Sequence, residues 1–327
     1  MRLQGKGKEW KNMADQVIGE KTLVPVSRPY TYSLLVKVID DLLAKYPDLE
    51  VGTVGRSVMG KDIFFLRLGR GEHEVCYNAS FHANENITTP VLLKFAEQMM
   101  ANYVSGESVL GVYPRQLFEE FSLYLVPMVN PDGVDLVNKE LVSGDYYEQA
   151  RRIASRYPDI PFPDGWKANI DGVDLNLQFP AGWENAREIK YAQGYVSPAP
   201  RDFVGLAPLI APESKAMYDF TVEHNFALIL AYHTQGKVIY WKYLAYEPKG
   251  SYRIAQYFGQ VSGYRVEVTP VASGYAGYKD WFIESYLRPG YTIEVGEGVN
   301  PLPMSQFSEI YRDNLGILLG GMTELKI

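Results

Sequence analysis

Three short runs in this chain are apolar at almost every position: SLYLVPMVN (122–130), FALILAYH (226–233) and GYTIEVG (290–296). A strand with one wetted face alternates apolar and polar residues, whereas a strand apolar on both sides must be covered on both sides. Helical spacing fills the intervals. YSLLVKVIDDLLAKYP (32–47) stops at a proline, and TTPVLLKFAEQMMANYV (88–104) carries Pro90 in its first turn and a stripe through Leu92, Phe95 and Met99. PESKAMYDFTVEHN (212–225), whose PES reads as a helix opening, and FSEIYRDNLGILLGGM (307–322) are two more helices. IFFLRLG (63–69) and EVCYNASFH (74–82) are further strands. Strands alternating with helices predict an α/β domain with a mixed, mostly parallel sheet covered by helices on both faces.

The chain of 327 residues is large for one domain, yet no Gly/Ser linker, low-complexity tract or internal repeat marks a boundary. A composition of 46% hydrophobic and 22% charged residues supports a substantial core. The net charge of −7 argues against nucleic-acid binding, which calls for a basic face. The single cysteine, Cys76, excludes an internal disulfide and is expected in the core of its strand. The opening MRLQGKGKEWKNMADQ is basic but has no apolar stretch of the kind an export signal needs, and no run approaches the ~20 residues of a membrane helix. A soluble chain is expected, with the cytosol as its default compartment and no membrane or obligate protein partner. Residues 134–208 show few clear elements and many Tyr, Pro and Gly, and they read as long ordered loops over a site.

Ligands of such sheets gather beyond the carboxyl ends of the strands. His82 closes one predicted strand with Glu85 in the turn after it, His233 closes another, and Glu294 lies near the end of a third. Two His and one carboxylate form a known catalytic zinc set, and a further carboxylate beside them can move protons. Each residue alone has a plainer reading: a polar loop for His-x-x-Glu, a satisfied polar group for His233, a carboxylate paired with an Arg for Glu294. The conjunction is what points to a metal.

In the same order, His-x-x-Glu after a strand, VNPDG (129–133), GVDLN (172–176), a distant strand-end His and a later strand-borne Glu make the chain resemble the zinc carboxypeptidases, the family of carboxypeptidase A. The resemblance runs from about Pro29 to the C-terminus, leaving residues 1–28 as an N-terminal extension and 29–327 as the catalytic domain. It implies a single α/β domain with a sheet of about eight strands, and one Zn²⁺ per chain on His82, Glu85 and His233. It further implies Glu294 as general base and acid. Lys167 in WKAN stands where the family has an oxyanion-stabilising Arg, and Asn176 matches the Asn of the pair that grips a substrate's terminal carboxylate.

Other positions depart from the family. The Arg expected after Asn176 is Leu177, Asn84 replaces another substrate-gripping Arg, and Pro270 stands where the substrate-loop tyrosine would be. Tyr275 or Tyr278 is the candidate to replace that tyrosine, and Lys279 a candidate for a substrate carboxylate, with an exposed loop lysine as its plain alternative. With DGVDLNLQFPAGWE and GYAGYKDWF, these departures resemble the bacterial γ-D-glutamyl-diaminopimelate peptidases of peptidoglycan stem peptides. That branch implies a cell-wall peptide as partner, and spore association or release to the wall as alternatives to the cytosol. The competing expectations are a conventional metallocarboxypeptidase with another basic residue in place of the missing Arg, and a non-catalytic cell-wall peptide-binding protein.

Overall fold

Along the strand His73–Ala79 the side chains alternate between two apolar layers: Val75, Tyr77 and Ala79 face one, and Cys76 faces the other. The strand Leu228–His233 repeats the pattern, with Leu228, Leu230 and Tyr232 on the first side and Ile229 and Ala231 on the second. This is the two-faced burial that the dense apolar runs require. The computed structural model describes residues 22–326, so most of the expected 1–28 extension, residues 1–21, lies outside the described residues. Of the remainder, Val24 is buried in the first core and the Leu23 backbone N–H donates to Glu97 Oε1 at 2.7 Å.

Eight strands form one sheet: β1 (Glu50–Arg56), β2 (Asp62–Leu68), β3 (His73–Ala79), β4 (Phe121–Val126), β5 (Leu228–His233), β6 (Val238–Tyr240), β7 (Arg265–Glu267) and β8 (Gly290–Glu294). Their order is β1-β2-β4-β3-β5-β8-β6-β7. The centre β4-β3-β5-β8 is parallel, β1, β2 and β6 pair antiparallel at the flanks, and β7 adds a parallel edge. Helices Tyr32–Lys45, Thr88–Ser105 and Phe307–Thr323 bury their apolar stripes on the first face, and Pro212–Glu223 and Tyr278–Tyr286 cover the second. The expected fold is therefore the observed one. Among the described residues no helix is long and apolar enough to cross a membrane.

Two local expectations need correction. The strand expected to end on His82 leaves the sheet at Ala79. Ser80 takes a left-handed φ of 52°, its N–H donates to Thr88 Oγ1 at 3.1 Å, and its hydroxyl lies 2.8 Å from Thr89 Oγ1, so the chain turns before the histidine. The segment read as loops, 134–208, holds the helices Asp145–Ala154 and Trp183–Ala192 and the end of Pro131–Val137. The first two are polar over most of their length and bury only a few residues each, so they lack a long apolar stripe.

Candidate metal and catalytic site

The parallel centre of the sheet delivers its strand ends to one edge, where the polar side chains collect. Asn130, N-cap of the helix Pro131–Val137, is wholly buried and accepts from the Gly133 N–H at 3.0 Å. Its amide group donates to Phe81 O at 3.2 Å and to Ala168 O at 3.0 Å. One side chain thus ties the backbone just before His82 to the backbone just after Lys167. A Cβ at Gly133 would lie 2.7 Å from Ala168 O, so glycine is what lets that helix approach. Ala83 N–H donates to Lys167 O at 3.0 Å and closes the link.

Three expected residues meet at one point. Glu85, in the single turn Ala83–Glu85, places Oε1 2.9 Å from His82 Nδ1 and Oε2 2.9 Å from His233 Nδ1, and the two Nδ1 atoms are 3.2 Å apart. His82 Nε2 lies 3.2 Å from Asp174 Oδ1, an acceptor that keeps a proton on Nε2 and leaves the Nδ1 lone pair for the centre. All three residues are buried, and their ligand atoms lie within 4.8 Å of one another. Acceptors converging on one buried point need a cation between them. Two imidazole nitrogens with one carboxylate suit zinc, so the donor set fits that metal.

The electrostatics agree. Burial opposes a charge on His82, yet the Glu85 carboxylate, followed by Asp174, pushes it up to about 9. A proton is the smallest cation that this negative centre can draw in. Burial would raise Glu85 and Asp174, but His82 and Lys167 hold both well below the carboxylate range. Burial lowers His233 against the pull of Glu85. Lys167 Nζ stands 3.3 Å from Glu85 Oε1, and that carboxylate with Asp174 keeps its ammonium above its ordinary value despite burial. Glu294, last residue of β8, is pushed to about 8 by burial and by the Glu85 charge, with Lys167 and His82 pulling it back.

His82, Glu85 and His233 line an inner cavity of about 230 Å³, and an outer cleft of about 810 Å³ shares part of its wall. Lys167, Glu294, Arg201 and Tyr240 line both. Asn176, Leu177 and Lys279 line the inner one. Asn176 Oδ1 accepts from the Tyr278 N–H at 3.0 Å, and Lys279 is buried, 2.6 Å from Asp280 Oδ1 and 2.8 Å from Lys242 O. The plain alternative of an exposed loop lysine is therefore excluded. Tyr275 is not brought to the cleft: it packs against Gly182 and Tyr243. Tyr278 is wholly buried between Phe81 and Phe179, its hydroxyl 2.9 Å from Thr221 Oγ1.

Several cleft residues escaped the sequence reading. Asp174 sits within the quoted GVDLN, two positions before Asn176, and that spacing was a usable signal. Arg201, Asp202, Lys190 and Tyr240 arrive from loops, a helix and a three-residue strand with no local pattern. Glu213, expected only to open a helix behind Pro212, is wholly buried. It accepts from the Val58 N–H at 3.1 Å and from Asn169 Nδ2 at 3.0 Å, and burial lifts its carboxyl to about 7.

Residues 35–316 match the Peptidase_M14 family, described as zinc carboxypeptidase. The chain is 44% identical over 303 residues to gamma-D-glutamyl-L-diamino acid endopeptidase 1 of Lysinibacillus sphaericus, spanning 92% of this chain and 74% of that protein. Its fold is similar to that of thrombin activatable fibrinolysis inhibitor, with a TM-score of 0.71 at 17% identity over 96% of this chain and 80% of that one. It is also similar to that of the carboxypeptidase A from Helicoverpa armigera, with a TM-score of 0.64 at 20% identity over 96% and 80% of the two chains.

Proposed function

Because the chain belongs to the zinc carboxypeptidase family of metallopeptidases, we propose that it hydrolyses the γ-D-glutamyl bond to diaminopimelate in peptidoglycan stem peptides, holding one Zn²⁺ through His82, Glu85 and His233. The observation that carries the reading is the convergence of His82 Nδ1, Glu85 Oε1 and Oε2, and His233 Nδ1 on one buried point in a cavity that Glu294 and Lys167 also line. Zinc bound there would supply Lewis acidity to the scissile carbonyl and to the attacking water.

The rest falls to the chain's own groups. The Glu294 carboxylate takes a proton from the attacking water and returns it to the leaving amine nitrogen as the C–N bond breaks. The Lys167 ammonium faces the oxygen on which negative charge develops, acting as a point charge where an Arg would act as a fork. Asp174 keeps the His82 ring turned so that Nδ1 faces the centre.

Leu177 beside Asn176 supports the choice of substrate. An Arg there would form paired, charge-assisted bonds to an ordinary C-terminal carboxylate, and leucine offers no donor. Diaminopimelate carries extra charged groups, and the inner cavity offers them Asn176 and the buried Lys279–Asp280 pair. The likeness to a protein named for γ-D-glutamyl-L-diamino acid bonds points the same way. The test is the ratio of kcat/KM for a γ-D-glutamyl-diaminopimelate peptide to that for a hippuryl-type dipeptide, with zinc content measured on the same sample. A ratio well above one is expected. A ratio near or below one returns the protein to the conventional carboxypeptidases.

A further inference from the structure

Arg201 is a charged residue of the cleft that none of these roles uses. Its Nε donates to Asp202 Oδ2 at 2.6 Å, and Asp202 Oδ1 is held in turn by Lys190 Nζ at 2.6 Å. The backbone is fixed on both sides: Pro200 O accepts from the Lys167 and Ala168 N–H groups at 2.7 and 3.0 Å, and the Asp202 N–H donates to Asp174 Oδ2 at 3.1 Å. The segment is thus clamped between the residue that orients His82 and the residue beside the reacting carbonyl. With Nε engaged, the terminal nitrogens form no hydrogen bond among the described residues, and Arg201 lines both the inner cavity and the outer cleft. The side chain is 43% exposed, open to a ligand while its stem is held.

A guanidinium fixed at one edge and open at the other is a receptor for a planar anion. In the outer cleft the only Lys or Arg side chains among the described lining residues are Lys167 and Arg201, and the acidic ones are Asp159, Asp164 and Glu294. Lys167 is mostly buried beside Glu85 and is assigned to the scissile carbonyl, whereas Arg201 is the more open of the two, which makes Arg201 the cation for an incoming carboxylate.

Resting on the γ-D-glutamyl reading above, we propose that Arg201 binds the free α-carboxylate of the γ-linked glutamyl residue on the acyl side of the scissile bond. When a glutamyl residue is linked through its side chain, its α-carboxylate remains free, one short aliphatic stem from the scissile carbonyl. A neutral residue on the acyl side presents no carboxylate in that region, and neither does a glutamyl residue whose α-carboxyl is amidated. Arg201 neighbours Lys167, the residue assigned to that carbonyl, and opens to the outer cleft as well as the inner cavity. The leaving residue falls to the inner cavity, which Asn176 and the Lys279–Asp280 pair line.

The experiment compares kcat/KM on L-Ala-γ-D-Glu-diaminopimelate and on the same peptide with the glutamyl α-carboxyl converted to a primary amide. The wild type should prefer the acid by about 10- to 100-fold, the loss expected when a charge-assisted pair is removed. In Arg201→Ala that preference should fall toward one, with the loss on the acid substrate. Arg201→Lys should retain part of it, and serves as the variant should the alanine protein not fold. Equal losses on both peptides would overturn the proposal. So would an unchanged preference, or a preference that responds to amidation of the diaminopimelate carboxyl instead. Failure of the wild type to cut either peptide would overturn the γ-D-glutamyl reading itself, and this inference with it.

Discussion

His233 and Glu294 stand opposite one another in the register of the adjacent parallel strands β5 and β8, each as the last residue of its strand. A proposed ligand and the proposed proton carrier are therefore set by one rung of backbone pairing, independent of any loop.

That rung separates their losses. Glu294→Gln keeps the shape of the strand end and removes only the titrating oxygen. It should leave the metal content at one zinc per chain and lower kcat by about 10²–10⁴-fold or more. Metal analysis beside steady-state kinetics checks it, and release of zinc by this variant would make Glu294 a ligand instead.

Asp174→Asn removes the charge that holds a proton on His82 Nε2 and sets an amide group against the Asp202 N–H, donor to donor. Partners of this kind typically carry 10–100-fold in metal affinity. A chelator competition should show zinc held about that much more weakly, at little change in secondary structure. Unaltered affinity would reduce Asp174 to a loop fastener.

Asn130→Ala leaves Phe81 O and Ala168 O without the donors that now satisfy them, and strips the N-cap of Pro131–Val137. A loss of roughly 2–4 kcal/mol is expected in urea unfolding. Turnover should fall as well, since the segments carrying His82 and Lys167 lose their common tie. Stability within 0.5 kcal/mol of wild type, the ordinary range of an inconsequential substitution, would refute the assignment.

Glu213 supplies a pH dependence remote from the proposed ligands. Its carboxyl moves from an ordinary 4.5 to about 7 on folding, because burial disfavours the charged form. The folded state holds this proton more tightly than the unfolded chain does. The stabilisation is therefore complete below about pH 4.5 and is lost as pH rises through about 7, a change of roughly 3 kcal/mol at most. Unfolding midpoints between pH 4.5 and 7.5 should decline for the wild type more steeply than for Glu213→Gln. Parallel curves would show that Glu213 does not titrate in this window.

Legibility followed burial. β4 and β5 are buried along their whole length, and helices such as Thr88–Ser105 carry long apolar faces, so both announced themselves by composition and period. β1 has two glycines and no fully buried residue, and β6 and β7 are three residues long, so none of these carries a pattern of its own. His82, Glu85, His233 and Glu294 were visible because strand ends are where such sheets collect chemistry. Arg201, Asp202 and Lys190 were not, since only the folded loops bring them beside Lys167 and Asp174. Tyr275 failed as a cleft residue for the converse reason: an aromatic ring in a loop is as readily drawn into packing, here against Gly182 and Tyr243.

The tie at Asn130 also bears on how the protein ages. A buried asparagine whose two amide hydrogens and carbonyl oxygen are all committed could not become an aspartate without placing a negative charge against two carbonyl oxygens. Spontaneous deamidation starts when the next residue's backbone nitrogen attacks the side-chain carbonyl, and that nitrogen must shed a proton to do so. The next residue is Pro131, which has none to shed. The side chain on which the geometry of the cleft depends is thereby closed to the commonest slow chemical damage of its kind, and storage should erode exposed asparagines long before it reaches this one.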